Sequence, residues 1–501
     1  MTYKRSWYPL MGPITASRRG TAAGPKKQQP VDLLTGPKLA LAGRVVTMDD
    51  TFTIRTNAVV YVEKGVIVAI QDREQPAPDG FGEVPVVKTG GSIFPGLIEL
   101  HNHLSYDTLP LWSPVPKRFK HRGEWPNHEQ YRPLVSGPMT VLGMYQDSSG
   151  HYPLLPALVR YVECKCLLGG VTTSQGIRLA SNAGIQRFYR GIVRNVEQTD
   201  DPDLPEAQCR IPDVHAKDAA RFLARLRKED SCFLLHLSEG LAEQAQPPSA
   251  ARKHFLALEV APGQWALNEM FAGIHAAGLL QEDFDVLASH RSSMVWSPLS
   301  NLLLYGGTAR VDAARKAGVT IGLGSDWSPT GSKNLLGELK VAWLYSQHLL
   351  DGLLTARDLV AMATRDAARI LKWDRAAGTL EAGRRADLVV IEGTSADPYE
   401  ALIRAKELDL RLVMINGVAR YGVPSLMRQL GSDGQSVSVG GRTRRLFLEQ
   451  ATADPDVAQV PLNEAAATLR QALQNIAELA KEIETPKPAP ATRHLLDAHT
   501  A

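Results

Sequence analysis

The sequence predicts an α/β fold, a mostly parallel sheet covered by helices, with a smaller β unit built from both sides of it. Three observations carry this. From residue 93 to about 377, strand-like runs that are apolar throughout alternate with amphipathic helical stretches. Short Val- and Ile-rich runs precede that region and return after it. The chain has 501 residues, too many for one ordinary core.

The first 37 residues carry six Lys or Arg before the first acidic residue, Asp32, and no apolar run, and are expected to form a mobile tail. "LALAGRVVTMD", "AVVYVEKGVIVAIQ" and "GEVPVVKTGG" then read as short strands, 38–92 in all. Strand character returns in "GTLEAGRRADLVVIEG" and "LRLVMINGVARYG", so 378–435 is expected to pair with 38–92 in one small domain. Between them, 93–377 offers seven parallel-type strands: "GLIEL", "GVTTSQ", "GIVRNV", "CFLLHL", "FAGIH", "SMVWS" and "VTIGLGSD". The span suits a barrel of about 250 residues. An eighth strand would have to lie between 177 and 230, and a doubly wound sheet stays open on pattern alone. In the C-terminal extension, 436–501, apolar residues from Leu462 to Ile483 recur at steps of four and three, which predicts one amphipathic helix over 462–484. It is expected to dock on its own chain or on a neighbouring subunit, and a homo-oligomer is expected.

Composition narrows the function. A net charge of +3 over this length gives no footprint for nucleic acid. No apolar run reaches membrane-spanning length. Four cysteines without a C-x-x-C pair do not make a disulfide framework, so a reducing, cytoplasmic setting is expected.

The chemistry lies in residues that end strands. His101 and His103, in "IELHNHL", stand two apart where one strand finishes, so both imidazoles face one way. His236 in "CFLLHLSEG" ends another strand, with Glu239 three residues on. His275 ends "FAGIH", and Asp326 follows "VTIGLGS". Each is ambiguous alone: a buried histidine needs only one hydrogen bond, and Asp often caps a turn. Together they put histidine nitrogen and carboxylate oxygen at the C-terminal ends of four strands, the face where such sheets bind ligands. That donor set suits Zn²⁺ or a similar first-row ion. His290 precedes a strand and reads as the end of a helix.

In these motifs, with "GGVTTSQG", "VWSPLSNLLLYG", "LGSDWSP" and "AGTLEAGRRADLVVI", the sequence resembles the amidohydrolase superfamily from about Lys38 to Gly422. It is most similar to the branch of atrazine-chlorohydrolase-type enzymes, cytosine and guanine deaminases, and related urea and thiocarbamate hydrolases. The resemblance implies a distorted (β/α)8 TIM barrel with a small β-sandwich formed from both flanks. It implies that His101, His103, His236 and Asp326 hold one divalent metal, Zn²⁺ first, with Fe, Mn, Co or Ni as options. His275 then completes the shell or contacts the reacting water, Glu239 shuttles protons, and Asn301 shapes the pocket rim. Lys165 sits in a helical stretch, so a second metal on a modified lysine is not expected.

On this reading the chain is a hydrolase of a non-peptide C–N bond in an amide, urea or carbamate of a small molecule. Asp326 serves as general base, and Glu239 or His275 serves as proton donor. The alternative is deamination of an amino-substituted heterocycle, with dechlorination, C–S hydrolysis or a non-catalytic scaffold as weaker options. The long segment after His103, residues 104–150, carries Tyr106, Trp112, Trp125 and Tyr131 and is expected to cover the site. Tyr106, Trp112, Trp296, Asn301 and Trp327 are the pocket candidates. The basic residues Lys117, Arg118, Lys120 and Arg122 are expected in solvent.

Overall fold

The computed structural model describes residues 34–112, 118–176, 191–394 and 397–484. The expected mobile tail therefore lies almost wholly outside the described residues, as does Lys117.

Both flanks enter one mixed nine-stranded sheet rather than two facing sheets. Its seam is the strand Val86–Pro95, which pairs in parallel with Leu39–Val46 on one side and antiparallel with Leu388–Glu392 on the other. Leu41, Val45, Ile93, Leu388, Val390 and Leu412 fill the core of that face. The hairpin Gln435–Val439 and Arg442–Leu446 extends the sheet past residue 435, where the sequence reading ended it. Gly440 and Gly441 make its turn, both at positive φ, as a two-residue hairpin loop requires.

Among the described residues, eight parallel strands follow chain order in two groups. Leu97–Glu99, Val171–Ser174 and Arg194–Asn195 form one group. Gln208–Arg210, Phe233–Leu237, Phe271–His275, Ser293–Trp296 and Thr320–Leu323 form the other. The strand at 208–210 is the one that sequence pattern left unplaced. The groups touch at both edges. Ala207 donates its N–H to Val196 O at 2.7 Å, and Leu100 N–H reaches Leu323 O at 3.3 Å. Ile98 and Val196 pack into one cluster with Leu234, Ile274 and Val295, while Phe233, Leu235 and Trp296 turn the other way onto helices. The fold is thus α/β, with a mixed sheet at its flank.

The terminal helix is two helices, Leu462–Gln474 and Ile476–Glu484, interrupted at Asn475. Asparagine competes for backbone hydrogen bonds and tolerates a helix end better than a helix interior. Ala465, Leu469 and Ala472 are buried with Leu154, Leu155 and Leu158 of the helix Leu154–Leu168, so the apolar face docks on its own chain. No helix among the described residues is long and apolar enough to cross a membrane.

One buried acid gives a stability test. Glu338, on the helix Leu335–Leu349, accepts the Leu299 N–H at 2.9 Å. Burial pushes its carboxyl up to about 8, against the hydrogen bonds from Ser332 and Leu299. The folded state therefore holds this proton more tightly than the unfolded chain does. Its stabilising share is complete below pH 4.5 and is lost as pH rises through 8. Glu338→Gln is expected to match the parent Tm at pH 5 and to exceed it by a few degrees at pH 9. A constant gap across this range in thermal melts would contradict the assignment.

Candidate metal centre

Five side chains converge where the parallel strands end. His101 and His103 follow Leu97–Glu99, His236 and His275 lie in their strands, and Asp326 follows Thr320–Leu323. His101, His103 and His236 bring donor atoms within 4.8 Å of one another, and so do His101, His275 and Asp326. Asp326 Oδ1 lies 3.2 Å from His101 Nε2 and 3.7 Å from His103 Nε2. His236 Nε2 lies 3.3 Å from His103 Nε2. The backbone is bent to serve this. His275 and Asp326 take positive φ values of 69° and 64°, a conformation that costs free energy and re-aims a side chain at a strand end. Gly324 lets the last strand come close, since a Cβ there would lie 2.6 Å from His101 Cβ.

The hydrogen bonds sort the imidazoles. Gln175 Oε1 faces His101 Nδ1 at 3.3 Å while accepting the Asn102 N–H at 2.9 Å, so Nδ1 of His101 carries the proton. Its Nε2 is buried and has no hydrogen-bond partner among the described residues. The Arg210 carbonyl faces His236 Nδ1 at 3.4 Å, which turns the Nε2 lone pair towards His103 Nε2, 3.3 Å away. His275 is the opposite case. Trp296 Nε1, which can only donate, bonds Thr308 Oγ1 at 2.8 Å, and Thr308 donates to Asn301 Oδ1 at 3.3 Å. The Asn301 amide nitrogen is thereby turned to His275 Nδ1 at 3.1 Å, which places the ring proton on Nε2.

Electrostatics favour the neutral form of His103, His236 and His275. Burial, then the neighbouring His101, holds His103 down at about 4 against the pull of Asp326. Burial, then His101, His103 and His275, keeps His236 well below its usual range. Burial also lowers His275, to about 3. For Asp326, burial raises the pKa, but His101, His275 and His103 together outweigh it and hold the carboxyl well below the usual range. Neutral imidazole nitrogens that face each other at 3.3 Å beside an ionised carboxylate form a set that a cation would bridge. An orphaned Nε2, lone pairs turned inward and a carboxylate fit a first-row divalent ion.

Glu239 lies beside this cluster. Burial pushes its carboxyl up to about 7, while Arg122 pulls it down. Its Oε2 stands 3.7 Å from His275 Nε2 and 3.9 Å from Arg122 Nη1, and its Oε1 accepts a 2.6 Å hydrogen bond from Tyr305.

The other candidates divide. Tyr106 and Trp327 have ring centres 6.3 and 6.1 Å from that of His103, and Trp125 and Tyr131 pack on Trp327. Trp112 lies a layer back, against Phe119, His128 and Tyr131. Trp296 is fully buried against Tyr345, outside the mouth. Its part is to head the donor chain to His275. His290 caps the helix Gln281–Ser289, with Nδ1 2.9 Å from Val286 O. Lys165 Nζ is taken up by Ser328 and the Asp107 carbonyl. Sequence reasoning missed Gln175 and Tyr305 and left Arg122 in solvent. Arg122 is instead half-buried, bonded to Asp213 at 2.5 Å. Tyr305 stood in a motif already singled out, four residues after Asn301 and so on the same helix face.

Comparison with known proteins places this geometry. Residues 212–420 match the Amidohydrolase family. A 5-methylthioadenosine/S-adenosylhomocysteine deaminase from Symbiobacterium thermophilum is 25% identical over 378 residues, 70% of this chain and 84% of that protein. An adenosine deaminase from Xanthomonas campestris with bound zinc superposes with a TM-score of 0.59 at 16% identity, covering 89% of this chain and 99% of that one. An atrazine chlorohydrolase from Arthrobacter aurescens complexed with zinc gives a TM-score of 0.60 at 19% identity, covering 88% of this chain and all of that one (100%). Over residues 212–420 the chain matches the amidohydrolase family, and it is a metal-dependent hydrolase acting on carbon–nitrogen bonds.

Proposed function

We propose that this enzyme deaminates an amino-substituted heterocycle: water adds at the ring carbon, the exocyclic C–N bond breaks, and ammonia leaves. The observation that carries this reading is Glu239, a protonatable carboxyl buried beside the histidine cluster, where a leaving nitrogen needs a proton. The relatives named as deaminases support it, and it reverses the order in which the sequence ranked amide or urea hydrolysis and deamination.

In this reading His101, His103, His236 and Asp326 hold one divalent ion, Zn²⁺ by preference. A bound ion of this kind lowers the pKa of water from 15.7 towards roughly 7. Asp326 is the base that accepts the water proton. Glu239 delivers a proton to the leaving nitrogen through Oε2, the oxygen turned to the site. His275, with its proton on Nε2, steadies negative charge developing at the ring. Tyr106, Trp327, Trp125 and Tyr131 make flat walls that suit a planar heterocycle. The two parallel groups are read as one distorted (β/α)8 barrel, supported by the hydrogen bonds at both of their edges. The four cysteines are free thiols, which suits the reducing, cytoplasmic setting.

The test is product analysis with metal-replete enzyme on aminopurines, aminopyrimidines, aminotriazines, amides and ureas. Ammonia from an aminoheterocycle is expected. Turnover confined to amides or ureas would overturn the reading. Stripping the metal with a chelator is expected to cut turnover by more than about a hundredfold, with recovery on adding Zn²⁺. Unchanged turnover in metal-free protein would sink the scheme.

A further inference from the structure

Glu239 is held by a chain of donors that begins outside the barrel strands. Tyr305 is the last residue of the helix Pro298–Tyr305 and is buried. Its hydroxyl oxygen lies 3.0 Å from Trp125 Nε1 and 2.6 Å from Glu239 Oε1. An indole N–H can only donate. Tyr305 therefore accepts from Trp125, and its single O–H is committed to Glu239 Oε1. With Oε1 occupied, Oε2 is the oxygen left to face His275 and Arg122.

Trp125 belongs to the long segment after His103, and that segment is fastened on the same two elements. Phe119 N–H bonds Leu304 O at 2.7 Å, next to Tyr305. Arg122 N–H bonds Glu239 O at 3.1 Å, and Leu241 N–H bonds Lys120 O at 2.9 Å. Residues 119–125 thus cross both the acid's strand end and the tyrosine's helix end.

We infer that Tyr305 and Trp125 are positioning residues that fix the rotation of the Glu239 carboxyl, so that residues 119–125 set the acid's orientation. The assignment rests on the role given to Glu239 above. Neither residue touches the reacting atoms.

The test is a double-mutant cycle. Tyr305→Phe removes the hydroxyl and keeps the ring. It is expected to lower kcat about ten- to a hundredfold, with KM within about twofold and with metal content and Tm unchanged. In a Glu239→Gln background the same change is expected to alter residual kcat by less than about twofold, because the group it positions is gone. Losses that multiply in the double variant would overturn the assignment, as would a loss seen only in Tm or KM. Trp125→Phe, at a half-buried ring, removes the N–H together with part of the aromatic surface, and carries the test if Tyr305→Phe does not fold. A smaller fall in kcat is expected from it, and a change in KM alone would leave Trp125 as a substrate wall with no part in positioning Glu239. The cycle is run on whichever C–N substrate the wild type turns over. Absence of ammonia release therefore counts against the deaminase reading, and a multiplicative cycle counts against Tyr305 and Trp125.

Discussion

Asp326→Asn is expected to lower kcat about a thousandfold while KM stays within about threefold, because a base is lost and the walls that bind substrate remain. Asparagine keeps the volume and one oxygen but cannot take a proton from water. The wild-type carboxylate suits that task. It is buried, it lies 3.2 Å from His101 and 3.7 Å from His103, and it stays ionised because those imidazoles outweigh the cost of burial. Its φ of 64° is one that asparagine also tolerates, so the backbone is not the casualty. Steady-state kinetics beside metal analysis checks this. A kcat within tenfold of wild type, with metal retained, would remove Asp326 as the base. Equal losses in binding and turnover would make it a structural ligand only.

His236→Ala is expected to have the second large effect, on occupancy rather than on a proton. Its Nε2 stands 3.3 Å from that of His103, and the Arg210 carbonyl fixes the proton on the other nitrogen. Alanine removes one of four donors and leaves a gap that water would fill. Metal content of the purified protein is expected to fall from about one equivalent to under about a tenth, with turnover falling in step. His290→Ala is the matched control, since that ring only caps a helix. Full metal content in His236→Ala would rule the residue out as a ligand.

The strands most easily read from sequence are those that are mainly apolar, because both of their faces are buried. Phe233–Leu237 and Phe271–His275 are buried at every position. Gln208–Arg210 is three residues long and only half-buried, so it leaves no apolar run to detect. Trp296 was misplaced for a reason that strand alternation already contains. Val295 packs with Leu234 and Ile274, so its neighbour must turn to the helix side. The four histidines and Asp326 that converge here were legible because each marks the end of an apolar run. Arg122 and Tyr305 were not, because a loop and a helix end reach the site only through the tertiary path of the chain.

The seam of the flanking sheet has a consequence for when the protein can become active during its synthesis. Val86–Pro95 leads directly into the strand that ends at His101, and its far neighbour is Leu388–Glu392. Ser92 Oγ donates to Gly393 O across a separation of 301 residues. Closing so long a loop is entropically costly, and it cannot begin until residue 393 has left the ribosome. The first two histidines are therefore tethered to a strand that waits for the last quarter of the chain. A nascent chain stopped before residue 388 would hold all five strand-end donors and still lack the partner strand that fixes two of them.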